Sequence, residues 1–153
     1  MTVKVQREDF DPGAEIARLH AGRSDIGAVV SFVGLVRGES HGEALRSMTL
    51  EHFPGMTERE LERIADEARA RWSLQGVTVV HRIGELKPGE RIVLVVTAAA
   101  HRRAAFEAGE FLMDYLKTRA PFWKRELRPS GEHWVEARGS DDEAAARWRR
   151  DSA

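Results

Sequence analysis

GAVVSFVGLV, residues 27–36, is the stretch that decides the fold. Its apolar residues fill both alternating sets of strand positions, which is typical of a strand covered on its two faces. The stretch therefore predicts a buried central strand. Gly34 within it indicates a bulge or the close approach of another backbone, because glycine otherwise weakens a strand interior.

Helices and pairs of strands alternate on either side of this stretch. Three helices are predicted from their capping residues and amphipathic spacing, over about residues 11–22, 57–76 and 102–118. Further strands are predicted over residues 45–52, 77–83, 91–99, 122–128 and 132–137. Pairs of strands between helices favour an α+β sandwich with mostly antiparallel strands over a doubly wound parallel sheet.

The length of 153 residues fits one domain over residues 1–153, with a C-terminal helix and tail from about residue 140 onward. The absence of cysteine excludes disulfides, thiolate metal ligands and a cysteine nucleophile. No apolar run approaches the roughly 20 residues that span a bilayer, and the first residues do not form a signal peptide. We therefore expect a soluble, cytoplasmic protein with no membrane partner.

The charge is balanced overall but uneven along the chain. Lysine and arginine total 24, aspartate and glutamate total 25, and the formal net charge is -1. A general nucleic-acid binder usually carries a basic excess, so no nucleic-acid partner is expected. The segment 117–128 contains one acidic residue, Glu126, and five cationic ones: Lys117, Arg119, Lys124, Arg125 and Arg128. This segment favours a local site for an anion.

Motifs for several other chemistries are missing. The six histidines show neither H-x-H nor H-E-x-x-H spacing, which argues against a metal site. The sequence has no G-x-G-x-x-G fingerprint and no Walker loop, so dinucleotide binding has no support.

Candidate site residues stand where predicted elements meet. His101 and Arg102 lie at a strand-to-helix junction, where free backbone N–H groups and the helix dipole suit a phosphate or carboxylate. Lys117 ends that helix and Lys124 follows on the next strand; a lysine near other cations has a lowered pKa and can act as a base. Arg37 leaves the first strand for a loop rich in glycine and serine. The alternative is that each is a solvated junction or helix-end residue.

Six longer motifs follow one another along the chain. They are GAVVSFVGLVR (27–37), LEHFPGM (50–56), HRIGELKPGE (81–90), AHRRAAFEAGEFLMDYLK (100–117), APFWKRE (120–126) and HWVEA (133–137). In these motifs the chain, from about residue 3 to residue 148, resembles the large, catalytic subunits of molybdopterin synthase, the MoaE family. Several independent motifs in one order are more specific than any single motif.

The resemblance implies a sulfurtransferase that needs no metal or redox cofactor. Cyclic pyranopterin monophosphate receives two sulfur atoms and becomes the dithiolene of molybdopterin. The sulfur arrives as a thiocarboxylate on the C-terminal Gly-Gly of a small ubiquitin-like subunit. The implied fold is an α/β hammerhead, α+β with a mostly antiparallel sheet and an additional β-subdomain. Two large subunits pair as a homodimer and carry one small subunit at each far end, which makes a heterotetramer.

The resemblance also implies roles for individual residues. Lys117 and Lys124 match the two lysines that the family uses at the sulfur-transfer site. The residues that it assigns to substrate and tail binding are Arg37, His101, Arg102, Arg138, Phe32 and Met113.

Two alternatives from other classes stand beside this interpretation. One is an anion-binding module without catalysis, such as a regulatory paralogue, and the presence of both Lys117 and Lys124 counts against it. The other is a single-strand nucleic-acid binder that stacks bases on Phe122 and Trp123, and the near-neutral net charge counts against it. For these two aromatic residues, core packing is the ordinary interpretation.

Overall fold

The computed structural model describes residues 1–135 and 139–149. In these ranges the helices are α1 (Pro12–His20), α2 (Met56–Trp72), α3 (Arg102–Thr118) and α4 (Gly139–Ala146). The strands are β1 (Thr2–Gln6), β2 (Ala28–Leu35), β3 (Glu39–Ser40), β4 (Glu43–Ala44), β5 (Ser47–His52), β6 (Gly76–Arg82), β7 (Gly84–Leu86), β8 (Arg91–Ala99), β9 (Phe122–Arg128) and β10 (Gly131–Val135). No helix in the described ranges is long and apolar enough to cross a membrane.

The first sheet has the strand order β1-β6-β8-β2. β6 and β8 are antiparallel, as are β8 and β2, whereas β1 runs parallel to β6. Helices α2 and α3 cover one face, where Leu61, Ile64 and Phe111 pack against alternate residues of β6 and β8. Helix α1 covers the other face, where Phe10 packs with Val80 and Leu94. The mostly antiparallel α+β architecture is therefore as predicted.

The prediction of a central strand at residues 27–36 is wrong. β2 is the outermost strand of the first sheet, and the exposed fractions of Phe32 and Leu35 are 43% and 54%. Its two faces are nevertheless both partly covered, since Val30 packs on the α2–α3 side and Val29 on the α1 side. The apolar residues at both alternating sets of positions thus correctly indicated that both faces of the strand are covered. They do not indicate whether both edges of the strand are paired with other strands.

The predicted irregularity at Gly34 is confirmed. The pairing of β2 with β8 shifts register between Gly34 and Leu35, as at a β-bulge. A Cβ atom at Gly34 would stand 2.7 Å from Cγ1 of Val93, closer than side chains tolerate. The glycine therefore permits β8 to approach, and the chain leaves the sheet directly afterwards, towards Arg37.

The second sheet forms the β-subdomain, with the strand order β10-β9-β5-β7 and antiparallel pairing throughout. A two-stranded hairpin of β3 and β4 lies beside it. The subdomain has its own small core of Val36, Leu45, Leu50 and Leu86. The chain passes from the first sheet to the second at Ile83, between β6 and β7. The groups that line this passage form the site described next.

Candidate functional site

Lys117 and Lys124 are brought together by the turn between α3 and β9. Lys117 lies in the last turn of α3 and Lys124 is the third residue of β9. Pro121 stands between the two elements and cannot continue the helix, so the chain reverses within a few residues. The two side chains come close enough for Lys117 to influence the protonation of Lys124.

The pKa of Lys124 is lowered from 10.5 to about 8. Burial is the largest cause, because it disfavours the charged ammonium, and the nearby charge of Lys117 acts in the same direction. The carboxylates of Asp141 and Glu126 oppose the shift. Near neutral pH a fraction of Lys124 is therefore the free amine, which can accept a proton.

His81 also belongs to this cluster, and sequence reasoning missed it. It is the second-last residue of β6, only 7% of it is exposed, and its ring stacks on Phe122 with a centroid separation of 3.9 Å. The pKa of His81 is lowered to about 4; burial is the largest cause, and the charges of Lys124 and Lys117 act in the same direction. The available signal was a histidine near the end of the strand predicted over residues 77–83.

A buried polar network fixes the hairpin that follows Arg37. The hydroxyl of Ser40 donates to Glu126 at 2.6 Å, and Arg128 Nε donates to the same oxygen at 3.0 Å. Arg128 also pairs with Glu43 at 3.5 Å. The network joins the β3–β4 hairpin to β9 two residues beyond Lys124. The loop that carries Arg37 is thereby anchored to the strand that carries Lys124.

Arg37 lies at the same end of the first sheet as Lys117. β8 runs from Arg91 to Ala99 and α3 returns in the opposite direction, so the C-terminal end of α3 lies above the start of β8. The end of β2 is held at that same end, because Val36 N–H donates to the carbonyl of Glu90 at 2.9 Å. Arg37, the next residue, is exposed there.

His101 and Arg102 lie at the opposite end of α3. His101 is the N-cap residue, and both side chains are exposed. Arg102 and Lys117 are separated by 15 positions of one helix, or about 22 Å at the helical rise of roughly 1.5 Å per residue. One chain alone therefore does not bring the predicted phosphate contacts together with the lysine pair.

Phe32 and Met113 lie on the same side of the first sheet. Phe32 is two residues after Val30 in β2, so the two side chains lie on the same face of the sheet. Val30 faces α3 at Gly109, because a Cβ atom on Gly109 would stand 3.8 Å from Val30 Cγ1. Met113 is one helical turn beyond Gly109, and Lys117 is one turn further. Phe32 on β2 and Met113 on α3 thus lie on the side of the sheet that α3 covers, and Met113 is one helical turn before Lys117.

Two other site predictions need separate comment. Arg138 lies outside the described residues, so its role stays a prediction. Within the described ranges there is no group of three or more histidine, aspartate or glutamate residues that could hold a metal ion. The arrangement that the structure does describe is two adjacent lysines, a neutral histidine and an arginine-bearing loop. It can bind anions and can move a proton at Lys124.

Comparison with known proteins identifies the family. Residues 5–119 match the family described as MoaE protein. The chain belongs to the MoaE family. This MoaE family member is 61% identical over 153 residues to the molybdopterin synthase catalytic subunit of Mesorhizobium japonicum, covering 99% of the chain and 95% of the relative. It is 58% identical over 146 residues to that of Escherichia coli K12, covering 95% and 97%.

Solved structures agree with the sequence relatives. The MoaE protein from Burkholderia ambifaria superposes with a TM-score of 0.81 at 53% identity, covering 96% of this chain and 97% of that one. Molybdopterin synthase from Staphylococcus aureus superposes with a TM-score of 0.78 at 30% identity, covering 86% and 95%. The predicted family and its activity, sulfur transfer by the catalytic subunit of molybdopterin synthase, are confirmed by these relatives.

Proposed function

We propose that this MoaE family member moves two sulfur atoms from the thiocarboxylated C-terminal Gly-Gly of a small ubiquitin-like subunit to cyclic pyranopterin monophosphate. The product is the dithiolene of molybdopterin. The observation that carries the proposal is the adjacent pair of Lys117 and Lys124, one exposed and one with a pKa of about 8. Both the thiocarboxylate and the substrate are anions, and the reaction requires a cation and a proton acceptor side by side.

The two lysines have different tasks in the proposed reaction. Lys117, at the exposed helix end, pairs with the thiocarboxylate and stabilises negative charge as its sulfur attacks the pterin carbon. After the attack, water cleaves the acyl–sulfur bond and releases the C-terminal carboxylate of the small subunit, and Lys124, half-buried and partly neutral near pH 7, accepts or relays the proton of that water. Phe32 and Met113 provide the apolar wall along which the extended tail of the small subunit reaches Lys117.

The phosphate of the substrate requires the cations at the other end of α3. The N-terminus of this helix offers free N–H groups and Arg102 offers a bidentate contact, and both suit a phosphate. Because they lie about 22 Å from Lys117 in one chain, we assign them to the site of a second copy.

The edge of β2 supplies a geometry for that second copy. β2 pairs only with β8 among the described strands, and Phe32 and Leu35 are exposed beside its free edge. If two copies pair antiparallel along β2, the Ala28 end of one meets the Leu35 end of the other. Each active site then combines Arg37, Lys117 and Lys124 of one copy with His101 and Arg102 of the other.

The assembly that follows is a homodimer of this chain and, with a small subunit at each far end, a heterotetramer. The name of its relatives, catalytic subunit, fits an enzyme with a further subunit. We also place the reaction in the cytoplasm. Light scattering at micromolar concentration tests the dimer, and a species of only 17.2 kDa contradicts it.

A complementation experiment tests the function and the shared site together. The thiocarboxylated small subunit and cyclic pyranopterin monophosphate are mixed with Lys117→Ala protein, with Arg102→Ala protein, or with both after subunit exchange. Each variant alone is expected to make little dithiolene, and the mixture is expected to recover activity because mixed dimers hold one intact site. Activity of Lys117→Ala alone at the wild-type rate contradicts the proposed function. Two inactive variants that stay inactive after proven exchange contradict the shared site.

A further inference from the structure

Thr57 lies at a fully buried position near the start of α2. It is the second residue of that helix, and 0% of it is exposed. Its hydroxyl does not cap the helix, because the N-cap residue is Gly55, whose N–H donates to Glu58 Oε1 at 3.0 Å. The hydroxyl instead binds two backbone groups that lie outside α2. Thr57 therefore connects this helix to other parts of the chain.

The two partners of the hydroxyl are the end of β5 and the turn between α3 and β9. The N–H of Phe53, the residue after β5, donates to Thr57 Oγ1 at 2.9 Å. Thr57 Oγ1 donates to the carbonyl oxygen of Pro121 at 3.0 Å, since that oxygen only accepts. One oxygen thus accepts and donates at the same time, which an apolar side chain of the same shape cannot do.

Both of the segments that Thr57 joins are connected to the lysine pair. Pro121 lies between Lys117, in the last turn of α3, and Lys124, the third residue of β9. β5 pairs with β9, and Leu50 of β5 is the partner of Lys124 in that pairing. Lys117 belongs to the helices that cover the first sheet, whereas Lys124 belongs to the second sheet. The hydrogen bond from Thr57 therefore links these two layers at the turn that separates the two lysines.

Phe53 adds a second contact to the start of β9. Its ring lies 6.1 Å, centroid to centroid, from that of Trp123, the residue before Lys124. The carbonyl of Phe53 also accepts from the backbone N–H of Thr57 at 2.9 Å, so Phe53 and Thr57 are hydrogen-bonded in both directions. The segment 53–57 thus holds the start of β9 at both Pro121 and Trp123.

We propose that Thr57 is a positioning residue for sulfur transfer, because its hydroxyl holds the α3–β9 turn and so sets the position of Lys124 relative to Lys117. Thr57 acts through the turn and is not itself a catalytic residue. Its hydroxyl fixes the backbone without adding a charge near the two lysines. A displacement of about 1 Å by a distant substitution can lower a rate about 100-fold, so the position of this turn matters for the reaction. The inference rests on the proposed role of Lys117 and Lys124.

Two substitutions separate the hydroxyl from the packing of the side chain. Thr57→Val keeps the shape and removes both hydrogen bonds, and Thr57→Ser keeps the hydroxyl. With saturating thiocarboxylated small subunit, we expect Thr57→Val to lower kcat at least about tenfold, with little change in KM for the pterin. Thr57→Ser is expected to recover most of that loss. The matched control is Thr97→Val, which removes an equally buried hydrogen bond, from Thr97 Oγ1 to the carbonyl of Ala105 at 2.7 Å, and is expected to keep the wild-type kcat.

A second measurement needs no substrate. Lysine ¹³C spectra of the full-length protein report the pKa of Lys124, and the spectrum of Lys124→Met assigns the signal. The charged groups that act on Lys124 are Lys117 of α3, Glu126 of β9 and Asp141 of α4. Thr57→Val changes none of these charges, so a shift reports a change of position. We expect the pKa to rise from about 8 towards 10.5 in Thr57→Val, because a released turn lets water reach the ammonium.

Four results would overturn the inference. A Thr57→Val protein with the wild-type kcat, or with an unchanged pKa of Lys124, shows that the hydroxyl does not position the lysines. A Thr57→Ser protein as slow as Thr57→Val, or a Thr97→Val protein with the same loss of kcat, shows a general effect of packing. If Thr57→Val does not fold, Thr57→Cys replaces it, because a thiol is a weaker donor and acceptor than the hydroxyl of serine. Equal rates for Thr57→Cys and Thr57→Ser then overturn the inference.

These results are distinct from a failure of the proposed function. A Lys117→Ala protein with full activity would overturn the proposed function. The pKa of Lys124 in Thr57→Val would still show whether Thr57 positions that lysine, because the spectra do not depend on the reaction.

Discussion

The hydroxyl of Ser40 donates a 2.6 Å hydrogen bond to the carboxylate of Glu126, which is 86 residues away in the sequence. Both residues are buried, and Arg128 Nε donates to the same carboxylate oxygen at 3.0 Å. The bond therefore fixes the loop after Arg37 to the strand of Lys124.

Removing that hydroxyl is expected to destabilise the protein. Ser40→Ala leaves a buried carboxylate short of one donor, which typically costs about 1–3 kcal/mol. Urea unfolding measures the loss, and Ser24→Ala, at an exposed loop position, is the matched control. Equal midpoints for the two variants would show that the hydrogen bond contributes nothing.

Lys117→Ala is expected to lower the rate of sulfur transfer by at least about 100-fold, the scale of one lost electrostatic or acid–base group. Lys117→Arg should restore little, because a guanidinium has a different shape and does not deprotonate. Single-turnover reaction with the thiocarboxylated small subunit measures both, with Lys87→Ala in the exposed turn before β8 as the control. A well-folded Lys117→Ala protein that reacts at the wild-type rate would show that Lys117 has no catalytic role. Lys117 would then be only a cation at a helix end, which contributes about 0.3–1 kcal/mol to stability.

Lys124→Met is expected to make the protein more stable and less active at pH 7. The pKa of Lys124 is about 8 in the folded chain against 10.5 as its ordinary value. Below pH 8 Lys124 is protonated in both the folded and the unfolded chain, and the folded chain bears the full free-energy cost of burying the ammonium. The substitution removes that cost, which we place on the order of 1–3 kcal/mol after allowing for partial exposure.

The advantage of Lys124→Met has a defined pH dependence. Between pH 8 and 10.5 the unfolded chain binds more protons than the folded one, so wild-type stability rises with pH and the difference between the two proteins shrinks. Denaturant unfolding at several pH values measures this trend, with Lys4→Met at an exposed position of β1 as the control. A difference that stays constant from pH 7 to pH 10 would show that the charge of Lys124 is not the cause.

Arg102→Ala is expected to weaken binding of cyclic pyranopterin monophosphate at least tenfold, since a charge-assisted contact typically contributes about 1.5–3 kcal/mol. Folding should be unaffected, because the side chain is exposed. Arg103→Ala is the matched control. Arg103 is the next residue and is also exposed, but it already pairs with Glu107 at 2.8 Å. Titration of the folded proteins compares the two variants, and equal affinities would remove Arg102 from the phosphate site.

Most of the regular structure was predictable because it depends on local patterns. The 3.6-residue spacing of Ala105, Ala108 and Leu112 gave α3, and β-branched runs gave β6 and β8. The short β7 and the parallel β1 were missed, since three residues carry no periodicity and β1 is identified only by its pairing with β6. The position of β2 at an edge depends on pairing across the sheet, which its own composition does not express.

The site was predictable in its residue types more than in its geometry. Sequence motifs indicated both Lys117 and Lys124, and their adjacency follows from a turn at Pro121 that local rules also indicate. The distance between Arg102 and Lys117 was overlooked, although the length of one helix already determines it. His81 could not be assigned from its strand, because its partners come from α3 and β9.

The free edge of β2 also bears on how the chain survives before it finds a partner. Among the described residues β2 is paired only on its β8 side, so its other edge, with Phe32 and Leu35 exposed beside it, offers backbone donors and acceptors to an extended segment. A newly made chain at low concentration is therefore open to strand addition by foreign or misaligned polypeptides. If copies pair along this edge as proposed above, losses to aggregation are expected to depend on the rate at which copies meet, as well as on the stability of the fold.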